Sequence, residues 1–119
     1  MNEVYLRGRL VSVYEMKASL DQPRHLVYQL QVVHKNARQM VKYEKYTINA
    51  WGNLAQWASA NLQVGMHVIV HGHLSQRKIE SGQLTEVTAQ SITQLAERSM
   101  TASEASPITI ATDANLDSR

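Results

Sequence analysis

The chain has 119 residues, a hydrophobic fraction of 44%, no Cys and a formal net charge of +2, which suits one small domain carrying a tail. The absence of Cys excludes disulfides and thiolate metal sites and makes a reducing cytoplasm the expected compartment. No apolar stretch approaches the ~20 residues needed to cross a bilayer, and the opening MNEVYLRGRL lacks the apolar run of a signal peptide, so no membrane association is expected.

Charge and composition divide the chain. Residues 1–98 hold eleven Lys/Arg against seven Asp/Glu, whereas residues 99–119 hold one Arg against three acids. A basic body favours a polyanionic partner. The last part, small, polar and rich in Ser, Thr and Ala, reads as a flexible tail over 99–119 behind a domain over 1–98.

In the domain, period-two alternation predicts a long strand from Asn2 to Tyr14, with Val4, Leu6, Gly8 and Leu10 on one face and Tyr5, Arg7 and Arg9 on the other. Met16 to Arg24 is turn-like, with Asp21 and Pro23 as breakers. His25 to His34 is a second strand: Leu26, Tyr28, Leu30 and Val32 face inward, and Val27, Gln29, Gln31 and Val33 outward. Lys35 to Met40 is a polar, basic connection.

The third strand, Lys42 to Trp51, has two unlike faces. Tyr46, Ile48 and Ala50 suit a core; Tyr43, Lys45, Thr47, Asn49 and Trp51 mix rings, a cation and small polar groups. Such a face is either a solvated sheet surface or a platform on which unpaired bases stack while cations meet phosphates.

Gly52 ends that strand. Asn53 is the expected cap of a helix through LAQWASAN, with Leu54, Trp57 and Ala58 on one stripe and Trp57 as a core or interface anchor. Gly65 turns the chain into a fourth strand, Met66 to Arg77, with Val68, Val70 and Leu74 inward and Gly72 at a bend. His67, His71 and His73 share its outer face, but the first and last stand roughly 20 Å apart at about 3.3 Å per residue, so no metal site is expected. A hairpin loop over Lys78 to Gln83 leads to a fifth strand, Leu84 to Leu95, whose end also fits a helix.

Five strands with one short helix between the third and fourth give the order of an all-β OB-fold, a five-stranded Greek-key barrel. On such a barrel the outer face of strands two and three, with the loops beside it, is the usual binding surface. Gln31, Lys35, Arg38, Lys42, Tyr43, Lys45, Thr47, Asn49, Trp51, Arg77 and Lys78 fall there. Catalysis is not expected: Asp21 and Glu44 form no dyad, the Ser and His residues show no orienting acid, and the Gly residues are too scattered for a phosphate loop. No cofactor is implied.

The chain also resembles bacterial single-stranded DNA-binding proteins over about residues 1–96. MNEVYLRGRL is similar to their Asn-x-Val-x-Leu-x-Gly-Arg-Leu opening. AWGNLAQWASANLQVGMHVIVHGHLSQRK resembles their strand-helix-strand segment, and SGQLTEVTAQSITQL their closing hairpin and strand. The resemblance implies an OB-fold that binds single-stranded DNA with little sequence preference, in replication, recombination or repair, as a homotetramer at the nucleoid.

Its stacking residues carry over only in part. Trp51 matches the aromatic before the Gly that ends strand three; Lys45 and Ile79 stand where the family commonly has Trp, and Asn36 falls in the strand two–three connection near another common Trp. Tyr43 is the nearby ring on the Trp51 face. Lys35, Arg38, Lys42, Lys45, Arg77 and Lys78 then meet phosphates, with Arg7 and Arg9 on a strand that in this family also serves as an interface, and Thr47, Asn49 and Gln31 as polar contacts. The ending DANLDSR lacks the acidic tip closing in Pro-Phe that recruits partner enzymes. LQVGMHVIVHGHL followed by KIESGQLTEVTAQSITQL also resembles primosomal replication protein N, a dimeric OB-fold with fewer aromatics. An OB-fold subunit that binds protein, with weak DNA affinity, is the alternative.

Overall fold

In the computed structural model, which describes residues 1–17, 20–96 and 107–112, the alternating segments become six strands. They are β1 (Val4–Glu15), β2 (His25–Lys35), β3 (Val41–Trp51), β4 (His67–Ile79), β5 (Gly82–Leu95) and β6 (Pro107–Thr112), with helix α1 (Gly52–Asn61) between β3 and β4. The sheet order is β3-β2-β1-β4-β5-β6, and a parallel pairing of Ile48 with Val87 and Asn49 with Thr88 joins β3 to β5. That pairing closes the first five strands into a barrel, the expected OB-fold.

The period-two pattern places one residue set inside. Leu10, Tyr28, Leu30, Ile48, Val68, Val70, Val87 and Ile92 are all nearly inaccessible. Leu54, Ala55, Trp57 and Ala58 of α1 join the same core. Burial pushes the Tyr28 phenol up to about 12, with the Arg24 charge opposing.

Two glycines stand where strands approach too closely for any side chain. A Cβ on Gly8 would lie 2.2 Å from the Gln31 carbonyl oxygen, and one on Gly72 would lie 2.0 Å from that of Thr88. Register shifts beside them, between Leu10 and Ser12 and between His71 and Gly72, add the local twist a small barrel needs.

Two hairpins outrun the barrel. β2 pairs with β3 from His25–Trp51 to Lys35–Val41, but β1 pairs with β2 only as far as Gln31. The residues beyond Gln31, with their β3 partners, form a projecting arm. Likewise β1 reaches β4 only as far as Gly72, whereas β4 and β5 stay paired to Ile79–Gly82. Leu74 is therefore 47% exposed and not inward as expected: past Gly72 its strand has left the barrel. The side chain of Asn2 holds that exit, donating to the Leu74 carbonyl at 2.8 Å and accepting from its N–H at 2.9 Å.

Three further details differ from the sequence reading. Asn53 does not cap α1; Trp51 occupies the cap position without a side-chain bond, because the helix starts at Gly52 with φ +61°. Val27, expected outward, is buried, at the floor of a concavity walled by residues of β1, β4 and β5. The end of β5 is strand through Leu95, held between β4 and β6. Residues 18 and 19 of the first turn, and 99–106 and 113–119 of the expected tail, lie outside the described residues. Within that tail segment, Pro107–Thr112 pairs antiparallel with Ser91–Leu95.

Candidate nucleic-acid interface

The outer face of β2 and β3 carries two separate groups of candidate residues. They sit eight residues apart along β3, roughly 26 Å at about 3.3 Å per residue.

The first group surrounds Trp51. Its ring is 41% exposed and lies parallel to the His25 ring, with centroids 3.6 Å apart and planes 8° off. Backbone geometry fixes this position. His25 and Trp51 are directly paired across β2 and β3, and the Gly52 N–H donates to the Arg24 carbonyl at 2.8 Å. Arg24 is itself held by a two-bond contact with Glu15, at 2.7 and 2.9 Å, and by a bond to Ser59 at 3.0 Å. The end of β1, the start of β2 and the helix are thus tied together beneath the Trp51 ring. One face of the indole is covered by His25, so one face is left for a ligand.

Behind the stack runs a polar relay. Asn49, expected as an exposed contact, is 7% exposed and occupied at both ends of its amide. Its Nδ2–H donates to Glu86 Oε1 at 3.0 Å, and His25 Nε2 lies 2.6 Å from its Oδ1. Arg77 donates to the other Glu86 oxygen at 2.9 Å. The Glu86 carboxyl is held below its ordinary range, first by the Arg77 hydrogen bond, against desolvation, and with help from Asn49 and the Arg77 and His25 charges. The Arg77 guanidinium is raised by the same contact.

An ionised carboxylate only accepts. Asn49 must therefore turn its NH2 to Glu86 and its oxygen to His25, which fixes the His25 proton on Nε2. The relay locks the base of the Trp51 stack from β5, a strand 37 positions downstream of Asn49.

Trp51 and His25 border a concavity of about 550 Å³. Val27 and Asn49 lie in its middle strands, Tyr14 and Met16 come from the β1 side, and Ser75, Arg77, Glu86 and Thr88 come from the β4–β5 side. The Ser75 and Thr88 hydroxyls bond each other at 2.9 Å. His25, Glu86, Tyr14 and Met16 are members of this site that the sequence reading did not single out. Only His25 carried a readable signal, by its pairing parity with Trp51.

The second group surrounds Tyr43, which is 62% exposed. Together with Arg7, Arg9, Gln31, Val33 and His67 it lines a groove of about 350 Å³. Arg9 bonds the Gly65 carbonyl and lies 3.5 Å from His67 Nδ1, while Arg7 is exposed. The barrel thus brings the two β1 arginines to the Tyr43 end of the face, across from Gln31.

Between and beyond these groups stand the remaining cations. Lys45 is exposed opposite Gln31; Lys42 is exposed, 3.9 Å from Glu44. Lys35 ends β2, and Arg38 lies in the turn of the β2–β3 arm. Asn36 organises that turn by accepting the Arg38 and Met40 N–H groups at 2.9 and 3.0 Å. A ring at position 36 would forfeit both bonds. Thr47 accepts from Gln29 at 2.9 Å. Lys78 is exposed on the other arm, near Ile79.

Chemically, the face offers two separated rings, with Lys45 between them and the other cations gathered towards the Tyr43 end and the β2–β3 arm. Among the described residues no cluster of His, Asp and Glu converges to hold a metal, and no helix is long and apolar enough to cross a membrane.

Comparison with known proteins agrees with this architecture. The structure superposes on a crystal structure of a deletion mutant of the single-stranded DNA binding protein from Thermus aquaticus, with a TM-score of 0.67 and 20% identity. The match covers 82% of this chain and 52% of that one, so the chain spans about half the length of that protein. No curated protein matches the sequence. The model of the single-strand binding protein family matches residues 1–102. With the closed barrel, the single helix and the ring-bearing face, that match establishes that the chain belongs to the single-strand binding protein family.

Proposed function

We propose that the chain binds single-stranded DNA without catalysing a reaction on it, largely regardless of sequence, and that it protects and organises the strand during replication, recombination or repair. The observation that carries this reading is the shared outer face of β2 and β3. Trp51 and Tyr43 are exposed towards its two ends, with Lys45 between them, Lys35, Arg7 and Arg9 at the Tyr43 end, and Lys42 and Arg38 on the margin of the β2–β3 arm. Rings supply sequence-tolerant stacking and cations release counterions from the phosphates. Arg77 and Lys78 extend the basic surface onto the second arm.

The family pattern supports a homo-oligomer, a tetramer first and a dimer as the alternative, in the cytoplasm at the nucleoid. An exposed Tyr5 stacked on His71, with centroids 4.4 Å apart on the outer face of β1 and β4, supports self-association there. The competing reading is an OB-fold subunit that binds protein and holds DNA weakly. It draws on His25 covering one face of Trp51 and on non-aromatic residues at Lys45, Asn36 and Ile79.

Isotherms on dT oligomers of several lengths, with light scattering for mass, test the proposal. Stacking is worth about 1–3 kcal/mol per base, so Trp51→Ala is expected to weaken binding by roughly 5- to 150-fold. A Trp51→Ala protein that binds as tightly as wild type refutes the platform, and a monomer refutes the oligomer.

A further inference from the structure

We propose that the concavity beside Trp51 is a base-edge reading pocket that favours bases carrying an exocyclic amino group, cytosine foremost, over uracil and thymine. This rests on the single-stranded DNA reading and adds a preference to it at one position along the strand.

Glu86 sits in the wall of the pocket, only 8% exposed, and it is a carboxylate. A phosphate beside it meets a like charge in a partly desolvated site. The group that enters here is therefore the base, while its phosphate stays at the cationic rim.

The size agrees. A concavity of about 550 Å³ lies within the roughly 300–1,000 Å³ typical of small-ligand pockets. The rings limit the stack. His25 occupies one indole face at 3.6 Å, so Trp51 takes a single base on the other and does not wedge between two.

The edge chemistry then selects. Each Glu86 oxygen receives one hydrogen bond, from Asn49 or from Arg77, and a carboxylate has about four lone-pair sites in all, so acceptor capacity remains. The Arg77 guanidinium has five N–H donors, uses one on Glu86, and is 61% exposed at its side chain. An acceptor thus stands directly beside a donor. Cytosine presents the complement, an N4 amino donor next to the N3 acceptor, and a Glu accepting from cytosine N4 is a recurrent pairing. Uracil and thymine put the O4 carbonyl where that amino group stands, so an acceptor faces the carboxylate. Adenine shares the amino-next-to-acceptor edge of cytosine and ranks with it when the pocket admits a purine.

The deciding experiment compares oligomers of deoxycytidine and deoxyuridine of equal length. The two bases differ only at position 4 and in the N3 proton, so stacking area and backbone charge are matched. Wild-type protein at one salt concentration and neutral pH is expected to bind the dC oligomer about fivefold tighter or more, the low end of what one good edge contact gives. Equal or tighter binding of dU overturns the inference and leaves the single-stranded DNA reading standing. No binding of either overturns both.

Two variants localise the preference. Glu86→Gln removes the carboxylate acceptor, and Arg77→Lys keeps the charge on an exposed side chain while removing the planar donors. Glu86→Gln is expected to bring the dC-to-dU ratio close to one, and Arg77→Lys, which leaves the carboxylate in place, to lower it without abolishing it. If Glu86→Gln does not fold, Arg77→Lys decides. An undiminished ratio in the folded variants assigns the preference elsewhere and overturns the pocket.

Discussion

Replacing Asn49 by Ala probes the relay that holds the Trp51 stack. Asn49 is 7% exposed, donates to Glu86 at 3.0 Å and lies 2.6 Å from His25. Alanine leaves one Glu86 oxygen and the His25 Nε2–H without their internal partner. Orphaning a buried polar group costs about 1–3 kcal/mol. At roughly 4–8 °C per kcal/mol for a domain of this size, Tm should fall by about 5–20 °C, read by circular dichroism. Asn49→Asp should do no better, because it sets a second carboxylate against Glu86. The relay also fixes the His25 ring against Trp51, so Asn49→Ala should alter Trp fluorescence in the free protein. An unchanged Tm together with an unchanged emission spectrum refutes the relay as a structural element.

Other perturbations follow the same reasoning. Glu86 has its folded value below the ordinary 4.5, so its stabilisation is complete above that value and is lost as pH falls through the lower, folded one. Tm should therefore drop on acidification below about pH 4.5, and the part that Glu86 supplies should disappear from the profile of Glu86→Gln; an identical slope in that variant contradicts the assignment. Gly72→Ala forces a Cβ to within 2.0 Å of the Thr88 carbonyl, so β4 and β5 must separate. A loss of about 1–3 kcal/mol in chemical denaturation is expected, and a neutral result shows that the strands part freely. Replacing Lys42 and Lys45 together by Gln should flatten the salt dependence of single-stranded DNA binding by up to about 1.4 units of slope, whereas Tyr43→Ala should lower affinity and keep the slope.

The sequence pattern makes the barrel legible because its signals are local. Alternation in β1 to β4 sorts Leu10, Leu30, Ile48 and Val68 inward without knowledge of any partner strand. The outer face of β3 is equally readable, since parity alone sets Tyr43 and Trp51 on one side. What escapes is whatever depends on distant pairing. Glu86 is a lone acid in a Thr-rich strand, and nothing near it points to Asn49. Val27 and Leu74 obey the expected parity but not the expected burial, because one lies in a concavity walled by distant strands and the other where the strand has left the barrel. Asn36 reads as one more polar residue of the β2–β3 connection, and its turn-forming role emerges only from its two backbone contacts. Ile108, Thr109 and Ile110 are good strand formers, yet they sit within a polar segment, and their place beside β5 follows from an edge that the sequence does not display.

The most direct test of the whole account is a Trp fluorescence titration of the wild-type protein with single-stranded DNA at a series of salt concentrations. Saturable quenching at low salt, with affinity falling log-linearly as salt rises, is the result predicted for a face built from one half-covered Trp, one Tyr and a surround of cations. No quenching and no affinity at the lowest salt contradicts it.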